Sequence, residues 1–150
     1  MPHSLSRVLL HVVFSTKNRA PVLTPRTRAE LHTYLGGVLN SIGCSSIQVG
    51  GVEDHVHLFC MLSRTKTIAQ VVEKVKTSSS KWLKEVDRQF IGFQWQQGYG
   101  AFSISQSDYD AAVAYIANQA ERHKKVSFQD EFRRLLALYR VEYDEELVWD

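Results

Sequence analysis

The chain has 150 residues, 44% of them hydrophobic and 23% charged, with eight glycines and three prolines. That length suits one ordinary domain and that composition a globular one, so disordered, collagenous and fibrous classes are excluded. The net charge of +2 hides an asymmetry: Glu142, Asp144, Glu145, Glu146 and Asp150 all follow the last basic residue, Arg140, so residues 1–140 carry a net +7, which suggests a polyanionic partner.

We expect a single unit over residues 1–150, with a core over about 4–125 and a C-terminal helix and acidic tail over 127–150. The longest uncharged stretch, Leu31 to Val52, holds five glycines besides His32, Asn40, Ser41 and Gln48, which is too polar for a membrane span. The opening Met1-Pro2-His3-Ser4 lacks the basic and apolar succession of a secretory leader, so a cytoplasmic location is expected. Cys44 and Cys60 have no C-x-x-C spacing and read as small buried apolar groups.

Leu5 to Ser15 is rich in Val, Leu and Phe and reads as a strand buried on both faces. Lys17 and Arg19 follow in a turn. Thr24 before Pro25 marks the start of a helix with the stripe Leu31, Leu35, Val38, Leu39 and Ile42, and Gly43 ends it. Ile47 to Val52 and Val56 to Leu62 form a hairpin across Glu53 and Asp54. Ile68, Val71, Val72, Val75, Trp82, Leu83 and Val86 recur at helical spacing, and the opposite face of that helix carries Lys74 and Lys81 among seven basic and three acidic residues over 64–88. Tyr99 to Ser105 is a fourth strand. Ser107-Asp108 opens a third helix running to about Lys124, and Ser127 caps a last one bearing Phe128, Phe132, Leu135, Leu136 and Tyr139. The order β-α-β-β-α-β with trailing helices predicts an α+β, ferredoxin-like (split βαβ, RRM-like) antiparallel sheet, with helices on one face and the other face left free for binding.

His55-Val56-His57 is the sharpest local motif. Residues two apart on a strand share a face, so the two imidazoles can converge on one ion while Val56 packs behind them. Hydrogen-bonded core histidines, or surface ones, are the alternative. On the third helix Tyr109, Ala112, Val113, Ile116 and Ala120 make a core stripe, whereas Asp108, Ala111, Tyr115, Gln119 and Arg122 share another face. Tyr115 either covers surface or does chemistry. A phenol beside a metal is a sensible nucleophile for phosphodiesters, because the ion offsets charge on the phosphate and the covalent product stores the bond energy.

Taken together, Asp54-His55-Val56-His57-Leu58-Phe59, the run Trp95 to Ser103, Tyr115-Ile116-Ala117-Asn118-Gln119 and the opening strand into Ser15-Thr16-Lys17 resemble the single-tyrosine transposases of the His-hydrophobe-His superfamily, which include small insertion-sequence transposases and repeat-associated tyrosine transposases. The resemblance spans about Ser4 to Tyr143. It implies that His55, His57 and Gln119 ligate a divalent metal, Mg2+ or Mn2+, and that Tyr115 is the nucleophile forming a 5′-phosphotyrosine link. It further implies a substrate of single-stranded DNA with hairpins, cut and rejoined with no nucleotide cofactor; some members dimerise and repeat-associated ones can act alone, and a homodimer is expected here. By ligand type alone, two imidazoles and an amide favour zinc or manganese. Arg7, Lys17, Arg19, Lys74 and Lys81 are the candidate DNA-binding residues, acting on phosphate. Two rivals remain: a binding module that holds structured single strands without cutting, and a histidine-triad-like nucleotide hydrolase, against which Phe59 stands where a third alternating histidine would be needed.

Overall fold

The computed structural model describes residues 3–150; Met1 and Pro2, which belong to the opening behind the cytoplasmic expectation, lie outside the described residues. Four strands, β1 (Leu9–Ser15), β2 (Ser46–Gly51), β3 (His55–Met61) and β4 (Gly100–Ile104), form one antiparallel sheet in the order β2-β3-β1-β4. This is the α+β arrangement that the element order predicts. The first strand begins four residues later than expected. Its pairing starts at Leu9 opposite Met61, where β3 ends, and Leu5 upstream is 90% exposed.

Alternation along the strands sorts the core into two layers. Leu10, Val12 and Phe14 of β1 and Val56, Leu58 and Cys60 of β3 face helices α1 (Pro25–Ser41) and α2 (Ile68–Val86). Thr24 caps α1 by accepting from the Thr27 amide, and Thr67 caps α2 through a reciprocal pair with Gln70. Gly43 ends the first helical segment at φ +79°, a conformation glycine adopts without steric cost. Among the described residues no helix is long and apolar enough to cross a membrane.

The second sheet face is not free. Helices α3 (Tyr109–Ala117), α4 (Gln119–Arg122) and α5 (Phe128–Leu138) roof it, with Phe128, Phe132, Leu135 and Leu136 on Val13 and Phe102, and Ile116 on Leu9 and Phe59. The cause is in the strands themselves: around its histidines the second face carries Leu9, Val13, Phe59 and Phe102, so the stripes of the trailing helices find apolar surface to cover. Two glycines set how closely the roof descends. A Cβ on Gly50 would lie 2.2 Å from the Ile116 carbonyl oxygen, and one on Gly100 would lie 2.4 Å from the Phe132 ring.

The expected third helix is also divided. Asn118 takes φ −96° and ψ 22°, which ends α3 and resets the helical phase before α4. As a result Gln119 turns inward and is 1% exposed, while Ala120, placed by spacing on the core stripe, faces solvent.

Candidate metal and tyrosine site

His55 and His57 lie on the roofed face of β3, fully buried, with ring centroids 5.1 Å apart. Each imidazole is held at Nδ1 by an outer partner. His55 Nδ1 is 2.7 Å from Asp54 Oδ1, and His57 Nδ1 shares a 2.8 Å hydrogen bond with Nε2 of buried His11 on β1. That leaves the two Nε2 atoms facing the space beneath α4 and α5.

Three further groups enter that space from above. Gln119 Oε1 lies 3.2 Å from His55 Nε2 and 2.9 Å from His123 Nε2. Glu131 Oε1 lies 3.2, 3.1 and 3.0 Å from the Nε2 atoms of His55, His57 and His123. One ligand atom from each of His55, His57, His123 and Glu131 falls within 4.8 Å of all the others, so these four residues can hold a metal ion. The donor set fits a divalent ion: ligands about 2.1 Å from one ion sit roughly 3 Å from their neighbours, and each imidazole already has its outer nitrogen engaged.

Tyr115 reaches the same place. Its hydroxyl donates to Glu131 Oε2, its ring stands edge-on to His57 at 5.8 Å between centroids, and the Arg122 guanidinium lies 4.8 Å from its ring centroid. Gln119 Nε2 donates to the same carboxylate oxygen at 3.1 Å.

The electrostatics follow from burial and from this one carboxylate. Burial works to raise the Glu131 carboxyl, but bonds from His123, His55 and His57 outweigh it and hold the group well below the usual carboxylate range. Burial likewise opposes charge on His55, yet its bonds to Asp54 and Glu131 prevail and raise it to about 9. His57 and His11 respond chiefly to burial and fall to about 4 and about 3, so both are neutral near pH 7. The Tyr115 phenol is pushed above its ordinary value, first by burial and then by the Glu131 charge, and it stays protonated in the folded chain.

The structure therefore brings Tyr115, His55, His57 and Gln119 together. It does not gather the basic candidates into one track. Arg7 donates to Gln106 Oε1 at 2.6 Å beside Tyr109, and Arg19 lies 5.7 Å from the Trp149 ring centroid near Lys17 and the chain's end. Lys81 lines an open groove of about 770 Å³ with Lys76, Lys84 and residues 93–97, on the α2 side of the sheet, while Lys74 lines a separate hollow with Lys66 and Gln70. Phe59, on the same face as the histidine pair, packs against Tyr109 and Ile116 as a core residue.

Sequence reasoning passed over His123 and Glu131. Both left a signal. Glu131 sits among Phe128, Phe132 and Leu135 at i+3 and i+4 spacing, an acid on an apolar stripe, and His123 follows Gln119 by one helical turn.

Two solved structures share the fold. A "putative transposase" from Deinococcus radiodurans R1 superposes with a TM-score of 0.63 at 20% identity, covering 79% of this chain and 95% of the other. The REP-associated tyrosine transposase bound to a REP hairpin gives 0.61 at 15% identity, covering 96% of this chain and 90% of that one. No curated protein matches the chain. The family described as "Transposase IS200 like" matches residues 4–119, more than three quarters of the sequence, and the chain belongs to that family.

Proposed function

We propose that this transposase-family protein cuts and rejoins single-stranded DNA bearing terminal hairpins, through a 5′-phosphotyrosine bond to Tyr115 and without ATP. The observation that supports this best is the meeting, within one chain, of the Tyr115 hydroxyl, the Glu131 carboxylate and the paired imidazoles of His55 and His57. A hairpin substrate is suggested by the REP hairpin bound to the fold relative named above.

In this reading the Tyr115 oxygen attacks the scissile phosphorus and the bond from phosphorus to the 3′-oxygen breaks. Glu131 Oε2 holds the phenol by its hydrogen bond, and the phenolic proton passes to the departing 3′-oxygen to give a free 3′-hydroxyl. Rejoining reverses each step, with an incoming 3′-hydroxyl displacing Tyr115. His55, His57 and Gln119 are the proposed holders of a divalent ion, Mg2+ or Mn2+, which when bound supplies Lewis-acid stabilisation of charge on the phosphate. Arg122, beside the Tyr115 ring and 3.4 Å from Glu131 Oε2, is a further proposed contact of that phosphate. Arg7, Lys17, Arg19, Lys74 and Lys81 are proposed to contact DNA outside the site, Lys81 from the open groove on the α2 side of the sheet. A homodimer is compatible with this scheme but is not required for tyrosine and imidazoles to meet.

The test is a denaturing gel of protein mixed with labelled hairpin DNA and Mn2+. The parent chain is expected to form a covalent adduct, and Tyr115→Phe to abolish it while binding the same DNA within about threefold, since one hydroxyl contributes little to phosphate-dominated affinity. An adduct in the phenylalanine variant would refute the assignment.

A further inference from the structure

The family match ends at Gln119, yet two of the four groups that converge on the site, His123 and Glu131, lie beyond it. Neither is there by accident of packing. Glu131 is fully buried on a helix face otherwise made of Phe128, Phe132 and Leu135, where an isolated carboxylate would be costly to desolvate. His123 is fixed in the manner of the strand histidines: its Nδ1 hydrogen-bonds the Val126 carbonyl oxygen, and its Nε2 points at Gln119 and Glu131. Three imidazoles thus each spend Nδ1 on an outer partner, namely Asp54, His11 and the Val126 carbonyl, and present Nε2 to a common point. Outer hydrogen bonds of this kind set tautomer and orientation in metal-binding histidines.

We infer that residues 123–131 convert the strand histidine pair into a three-imidazole, one-carboxylate centre that binds a first-row transition ion in preference to Mg2+. The inference rests on the reading of this site as metal-dependent and adds to it the further ligands and the class of ion. Mg2+ takes oxygen donors and gives up its water reluctantly, whereas imidazole nitrogen suits Mn2+, Zn2+ and their neighbours in the series. His55 and His57 with an amide already lean towards such ions. A third nitrogen strengthens that preference. The carboxylate keeps the site hospitable to Mn2+ as well as Zn2+ and lowers the charge that a divalent ion brings into a buried space.

The experiment is a Mn2+ titration of the full chain after chelator treatment, followed by the electron paramagnetic resonance signal of free Mn2+, with Mg2+ and Zn2+ as competitors. The parent is expected to bind one Mn2+ at least about 100-fold more tightly than Mg2+. His123→Asn and Glu131→Gln are each expected to weaken Mn2+ binding by about tenfold or more. Binding within twofold of the parent in either variant, with circular dichroism unchanged, overturns the inference, as does an equal affinity of the parent for Mg2+ and Mn2+. Should a variant fail to fold, nitrogen couplings to Mn2+ in the parent decide the matter: three imidazoles support the centre and two refute it. No DNA is present in these measurements, so their failure leaves the strand-transfer reading standing, and failure of the adduct gel leaves the centre standing.

Discussion

At the scale of single residues, a histidine buried without a partner destabilises a fold wherever the unfolded chain would be protonated. His32 on α1 is such a group: its Nε2 is buried with no hydrogen-bond partner among the described residues, and burial, then the charge of Arg28 one turn earlier, then His57, lower it from 6.5 to about 4. Between those values the unfolded chain binds a proton that the folded chain does not, so stability falls as pH drops from about 6.5 to about 4 and is unaffected by this group above. Replacing it by leucine is expected to flatten the profile by about 2 kcal/mol over that window, measured by urea denaturation at pH 7.5 and pH 4.5. Parallel profiles for parent and His32→Leu would refute this. Legibility at this scale was uneven for a physical reason. His55 and His57 share a face because strand periodicity is strict, so their convergence could be read from spacing. The approach of Glu131 to them depends on how α5 lies across the sheet, and spacing within α5 marks the oddity of a buried acid without naming its partner.

At the scale of elements, the site depends on how low α3 rides on β2. Gly50 allows it: an alanine methyl there would come within 2.2 Å of the Ile116 carbonyl oxygen and 2.9 Å of its side chain, one residue from Tyr115. Backbone cannot yield as a flexible side-chain tip does, so α3 must lift. Overpacking of this kind costs about 1–3 kcal/mol, and a displacement of about 1 Å at a nucleophile can cost about 100-fold in rate. Gly50→Ala is therefore expected to fold with a lowered melting temperature and to lose adduct formation far more than its stability loss explains. Normal adduct yield at reduced stability would show that the tyrosine does not depend on this contact. The caps at Thr24 and Ser127 were legible because capping chemistry is local. The break at Asn118 was not, since Ala117, Asn118 and Gln119 continue a tolerable helical pattern and what turns Gln119 inward is the polar site below it.

At the scale of the whole molecule, strand order followed from the alternation of elements, whereas the roofing of the second face did not, because a sheet with apolar residues on both faces and helices with apolar stripes admit more than one docking. The charge asymmetry takes on a spatial meaning once the tail is docked. The Trp149 ring has the guanidinium carbons of Arg19 and Arg133 at 5.7 and 5.0 Å from its centroid, Glu145 pairs with Arg133 at 2.7 Å, and the Gly98 amide donates to the Asp150 carbonyl oxygen at 2.8 Å. The acidic segment therefore lies beside Arg19 and Lys17, two of the proposed phosphate contacts, and its negative field opposes theirs. Glu142 and Glu146 are exposed and their side chains enter none of these contacts, so changing both to glutamine removes charge without loosening the tail. The double variant is expected to bind hairpin DNA about threefold more tightly than the parent at 50 mM salt, with the two converging at about 0.5 M, where the screening length falls to a few ångströms. A gain that persists at high salt would point to a change in the tail's packing rather than its field, and no gain at low salt would place the tail outside the path of the DNA.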